Sequence, residues 1–150
     1  MKNNKGFSLV ELIIVIAIMA ILVGVMAPQL IKYIEKTNVS SDTQVADSVR
    51  SAVTTAMLDP AVIQDDTYTF PTSGDLASCL SSGGAAFEEA VLEILGVASA
   101  GDIDLKSKDA SGVNVYILNS NSVAVEIEGS HADGEDGDTP IIVPEGADIG

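Results

Sequence analysis

From Leu12 to Ile31 the chain runs about twenty residues without a charged side chain, and the next charge is Lys32. At ~1.5 Å rise per residue such a run spans ~30 Å as a helix, the thickness of a bilayer core. From Gln29 to Leu58 the pattern stays helical and becomes amphipathic. Val45, Val49, Val53 and Met57 recur at every fourth position, flanked by Ala46, Ala52 and Ala56, which is the spacing of one helix face. Asp42, Asp47 and Arg50 fall on other faces, as a stripe packed on one side requires. Asp59-Pro60 ends the pattern, because proline drives its predecessor out of the helical region. Phe7 to Leu58 as one helix would reach ~78 Å, a spine whose second half is buried against a small head. The Val/Ala stripe reads as core packing rather than as a ligand surface.

Residues 59–84 read as loop, punctuated by Pro60, Pro71, Gly74, Gly83 and Gly84. Ala85 to Leu95 reads as a short helix with Phe87, Val91, Ile94 and Leu95 on one face, and Gly96 suits its C-terminal cap. Three strand-like runs follow, Ile103–Leu105, Val113–Leu118 and Val123–Ile127, separated by turn-rich Asp109-Ala110-Ser111-Gly112 and Asn119-Ser120-Asn121-Ser122. Ile141-Ile142-Val143 is a candidate edge strand before Pro144. The predicted fold class is α+β: a long N-terminal spine helix packed on a small antiparallel β-meander head. Residues 7–31 form the membrane half of the spine and 32–58 its amphipathic half. The head is 59–150, divided into a variable connection with a short helix (59–100), the meander (103–128) and an acidic tail (130–150).

Composition narrows the function. Seven basic residues stand against 22 acidic ones, a formal charge of −15 over 150 residues, which leaves no phosphate-binding footprint and argues against a nucleic-acid partner. The acidity fits an extracellular domain kept soluble. With no Trp and three each of Phe and Tyr, an aromatic platform for sugars or bases is not expected. A single cysteine, Cys79, cannot close an intrachain disulfide. Its apolar neighbours point to a small buried side chain rather than a reactive thiol. One histidine, His131, and one cysteine make neither a zinc site nor a Cys-His dyad, and no cofactor is implied. The densest acid cluster, Asp133, Glu135, Asp136 and Asp138 with glycines between, offers oxygen ligands for Ca²⁺. Its spacing is not that of an EF-hand, and a solvated acidic loop is the simpler reading.

The most specific pattern lies at the start: Lys5-Gly6-Phe7-Ser8-Leu9-Val10-Glu11, then apolar Leu12 to Ala27, then Pro28. An acidic side chain at a membrane-helix centre costs roughly 2.5–3.5 kcal/mol, less near the interface, and such a charge usually marks function. Lys2 and Lys5 before the segment place the N-terminus in the cytoplasm. Proline has no N–H, so the carbonyl of Gly24 loses its helical partner, and Gly24 is itself a poor helix former. The stretch from Gly24 to Pro28 is therefore the weak part of the spine.

This N-terminal region resembles that of a type IV prepilin, over residues 1 to roughly 58. The resemblance implies that residues 1–6 are a leader, that a prepilin peptidase cuts between Gly6 and Phe7 and methylates the new Phe7 amine, and that Glu11 guides assembly. It further implies self-association into a helical homopolymer, an assembly platform with cytoplasmic ATPases as partners, and a membrane-anchored state before polymerisation. In the family the stretch Gly24 to Pro28 loses helical order in the filament. Many Gram-negative pilins close a C-terminal loop with a cysteine pair. This chain departs from that pattern and is closer to the cysteine-poor pilins of Gram-positive bacteria.

The function expected is a major pilin of a type IV pilus serving motility or adhesion, with Glu11 favouring a body subunit over a tip subunit. A pseudopilin of a type II secretion or DNA-uptake system shares the processing motif and is the alternative. A secretory signal peptide cut near Val25-Met26-Ala27, or a plain single-span anchor, accounts for the basic start and the apolar run but not for Glu11. An enzyme on a single anchor lacks any catalytic set.

Overall fold

The computed structural model describes residues 6–119, 122–129 and 140–149. Contacts divide the chain into two compact units, Met1–Ile34 and Glu35–Gly150, and one helix, α1 (Leu9–Leu58), contributes to both. The elements that follow are α2 (Pro60–Ile63), β1 (Gly74–Asp75), α3 (Leu76–Gly83), α4 (Ala85–Leu95), a 3₁₀ turn (Ala100–Asp102), β2 (Gly112–Asn119), β3 (Ser122–Glu128) and β4 (Ile141–Val143). A long N-terminal apolar helix with a small antiparallel sheet makes the fold α+β.

In the first unit the side chains of α1 from Leu9 to Ile34 are all exposed. The helix is long and apolar enough to cross a membrane by length and composition. Pro28 lies inside the helix, which continues past the carbonyl that proline leaves without its usual partner.

The second unit is built on the Val/Ala stripe. Ala46, Val49, Ala52, Val53 and Ala56 of α1 are fully buried, with Leu80, Phe87, Val91, Val115, Val125 and Ile127 among their core companions. The sheet order is β1-β2-β3-β4, antiparallel throughout. Opposed pairs Val113↔Ile127 and Val115↔Val125 put alternate residues inward, the period-2 signature of a half-buried sheet. Asn114, Tyr116 and Glu126 take the other face, where the Tyr116 hydroxyl donates to Glu126 Oε2 at 2.8 Å. α1 stops at Leu58 because Asp59 turns outward to cap α2, accepting from the Ala61 amide at 2.8 Å, with Pro60 in its first turn.

Several details differ from the sequence reading. Residues 76–83, assigned to loop, form helix α3, capped by Asp75, which accepts from the Ser78 amide at 3.2 Å. Ile103–Leu105 is not a strand; it follows the 3₁₀ turn as irregular chain with Ile103 and Leu105 packed on the core. The sheet gains β1 instead, and β4 joins β3 at the edge as its apolar run suggested. On α4, Phe87 and Val91 are buried, whereas Ile94 is 51% exposed and does not share their packing. Finally, Asp42 does not face solvent. It is fully buried and accepts from the Lys106 and Ser107 amides, both at 2.8 Å, and from the Ser107 hydroxyl. Two helical turns earlier Glu35 accepts from the Lys108 amide at 2.9 Å.

Two glycines meet a steric demand at the α3–α4 junction. A Cβ on Gly83 would lie 2.1 Å from Cδ1 of the buried Phe87 ring. Gly84 has φ of +92° and a Cβ there would lie 2.1 Å from the Thr67 carbonyl oxygen, so it combines left-handed backbone with a backbone clash. Gly84→Ala is expected to lower stability by roughly 2–4 kcal/mol, read as a drop in the thermal midpoint of the detergent-solubilised chain. A midpoint unchanged within 2 °C would contradict it.

Cys79 lies in α3 with no exposed surface. Burial pushes its thiol up to about 11, and the nearby Asp75 carboxylate acts in the same direction. At pH 8 the native thiolate fraction is then ~0.1%, against ~10% for an unfolded thiol near pKa 9. A disulfide reagent should therefore label the native chain at least a hundredfold more slowly than the urea-unfolded chain, with the native rate rising toward pH 11. Between pH 9 and 11 the unfolded chain releases this proton first, so the native state loses stability as pH rises. Equal labelling rates would refute the buried thiol.

Candidate functional site: the capped start of the apolar helix

The first turn of α1 is set by Ser8 and Glu11. The Ser8 carbonyl accepts from the Leu12 amide at 3.2 Å, and the Ser8 amide donates to Glu11 Oε2 at 2.8 Å. The carboxylate thus reaches back one turn and satisfies an amide that the helix leaves orphaned, the glutamate half of a capping box. A negative side chain there also sits favourably at the positive end of the helix dipole. The Ser-x-x-Glu spacing of this cap is visible in the sequence within the Gly6–Glu11 pattern, and the cap explains why the helix begins at Leu9 rather than further back.

Gly6 and Phe7 precede the helix without regular structure, and Phe7 is 85% exposed. A peptidase needs an accessible backbone at the bond it cuts, and this junction is exposed and outside the helix. The structure therefore brings Gly6, Phe7 and Glu11 together within the first turn and its approach. Gly24 and Pro28 lie further along the same helix. A Cβ at Gly24 would meet nothing within 4 Å, so nothing in its own subunit requires glycine there. The Ca²⁺ candidates Asp133, Glu135, Asp136 and Asp138, and His131, fall outside the described residues. Among the described residues no group of three or more His, Cys, Asp or Glu side chains is placed to hold a metal ion.

Residues 1–27 match the family model described as the prokaryotic N-terminal methylation motif. The chain is 33% identical over 126 residues to the type IV major pilin protein PilE of Neisseria gonorrhoeae, covering 84% of this chain and 63% of that protein. It is 37% identical over 75 residues to the type IV major fimbrial protein FimA of Dichelobacter nodosus, covering 50% of this chain and 48% of that one. The chain thus spans less than two thirds of the length of these relatives. No solved structure matches it. With the methylation motif on its capped apolar helix and this likeness over most of its length, the chain is similar to type IV major pilins.

Proposed function

We propose that the chain is a structural subunit, the major pilin of a type IV pilus, and performs no chemistry of its own. The observation that carries this reading is the exposed Gly6–Phe7 junction directly ahead of an apolar helix whose first turn holds Glu11. In this reading residues 1–6 are a leader removed by a prepilin peptidase, and the new Phe7 amine is methylated. Residues 7–31 hold the subunit in the membrane with the N-terminus in the cytoplasm, 32–58 complete the spine and 59–150 form the head outside. An assembly platform and its ATPases then draw subunits into a surface filament, used for motility or adhesion. A pseudopilin would carry the same motif; the names of the relatives favour the pilus.

Within the filament the Glu11 carboxylate of one copy meets the Phe7 amine of its neighbour. Such a buried pair adds little net stability but penalises a subunit at the wrong height, which strands both charges. The stretch Gly24 to Pro28, short of one backbone hydrogen bond, is where the helix opens on packing. Gly24→Ala with Pro28→Ala should then give filaments that extend less under a pulling force; force-extension curves equal to those of the unsubstituted filament would remove that role.

The experiment that tests the whole reading is mass spectrometry of surface material sheared from cells, with electron microscopy of the same fraction. Filaments whose subunit starts at N-methyl-Phe7 are expected. A subunit retaining Met1, or one starting at Pro28, overturns it.

A further inference from the structure

Within the unit Glu35–Gly150, α1 and the segment after α4 enclose an open groove of ~340 Å³. Buried Val49 and half-buried Val45 and Ile103 line its depth, and exposed Gln44, Asp102 and Asp104 stand at its edge. The Ser99 hydroxyl donates to Asp102 Oδ2 at 2.9 Å, which fixes that carboxylate in place. An apolar trough under two carboxylates suits a side chain with a hydrocarbon stem and a cationic head.

The chain itself supplies few such side chains. After Gly6 there are five basic residues, Lys32, Lys36, Arg50, Lys106 and Lys108, against 22 acidic ones. Copies brought together therefore repel one another unless the cations of one meet the carboxylates of the next. Arg50 is paired with Asp47 of its own helix at 3.1 Å. Lys106 and Lys108 belong to the segment that continues directly from Asp104, on the groove's own side. Lys36 is exposed on α1, and at 3.6 residues per turn it points roughly 150° away from the groove-lining Ser41, Val45 and Ser48. An array that grows by repetition needs a heterologous contact, joining two different patches of one chain. The groove and Lys36 are such a pair.

We propose that this groove is a docking site between copies of this chain and receives Lys36 of the next copy along the filament, between Asp102 and Asp104. The docking rests on the filament reading above.

The test uses filaments from cells expressing a mixture of ¹⁴N- and ¹⁵N-labelled chain, treated with a carbodiimide that joins amines directly to carboxylates. Mixed-label peptides joining Lys36 to Asp102 or Asp104 are expected. Lys36→Glu should lower the sheared filament yield at least tenfold, while Lys36→Arg keeps it within twofold. Filaments in which Lys36 joins neither aspartate of another copy overturn the docking and leave the filament reading intact. So does a Lys36→Glu yield equal to that of the unsubstituted chain, or equal loss in Lys36→Glu and Lys36→Arg. Absence of filaments from the unsubstituted chain removes the filament reading itself, and the docking with it.

Discussion

Filaments are expected to vanish from the cell surface when Glu11 is replaced by alanine, although the subunit is still inserted and still trimmed at Gly6. Among the described residues of the single subunit, Glu11 accepts the Ser8 amide at 2.8 Å. Its removal costs the helix a cap of ~1 kcal/mol. Alanine is the best helix former, and its apolar side chain eases entry into lipid, so α1 and its insertion survive. The Gly6–Phe7 junction lies ahead of the helix and is untouched. Assembly is different. If Glu11 neutralises the Phe7 amine of a neighbour in an apolar surround, alanine leaves that amine stranded, at ~3–5 kcal/mol for each contact. About 4 kcal/mol weakens each addition roughly a thousandfold, and a polymer multiplies that loss along its length. Glu11→Gln keeps an acceptor for the Ser8 amide without the charge, so it separates the two roles: a normal helix start with filament yield still sharply reduced. The measurement is an immunoblot of sheared against cell-bound protein, with mass spectrometry to confirm a Phe7 start in both variants. Unsubstituted yield from Glu11→Ala would sink the assembly role.

What the sequence shows plainly is whatever depends on neighbours close along the chain. The apolar run before Lys32, the four-residue recurrence of Val45, Val49 and Val53, and the alternation in β2 and β3 each encode their element locally, and each is present in the fold. α3 was missed because its serines and glycines read as loop, though Asp75 three residues before Ser78 is a cap signal of the same kind as Ser8 and Glu11. Ile103–Leu105 alternates like a strand but has no partner edge among the described residues; it packs its apolar side chains on the core from irregular chain. Asp42 was misread for a different reason. Three, four, seven and eleven residues before Val45, Ala46, Val49 and Val53, it stands on the apolar stripe itself, so helical spacing places it inside although its charge suggests water. What the local pattern does not carry is its partner, a segment 64 residues away in sequence. The candidate site was more legible than the head, because its residues lie within one turn of each other.

That buried carboxylate carries the second large effect. Asp42→Ala removes the acceptor for three donors, the Lys106 and Ser107 amides at 2.8 Å and the Ser107 hydroxyl. A buried donor left unsatisfied costs ~1–3 kcal/mol, and the cavity adds to it, while relaxation of residues 106–108 toward water recovers part. A net loss of roughly 3–5 kcal/mol follows, which for a domain of this size lowers the thermal midpoint by roughly 10–20 °C. Two companions isolate the cause. Ser107→Ala removes only the hydroxyl and leaves Asp42 its two amides, so about 1 kcal/mol is expected. Asp47→Ala, on the same helix but exposed and paired with Arg50 at 3.1 Å, should change stability by no more than ~0.5–1 kcal/mol. Because Asp42 and Ser107 share one contact, the double variant should lose less than the sum of the two single losses. Thermal unfolding of the detergent-solubilised chain, followed by circular dichroism, reads all four. An Asp42→Ala midpoint no lower than that of Asp47→Ala would mean that the 106–108 segment is held on the helix by apolar packing of Ile103 and Leu105 rather than by this carboxylate.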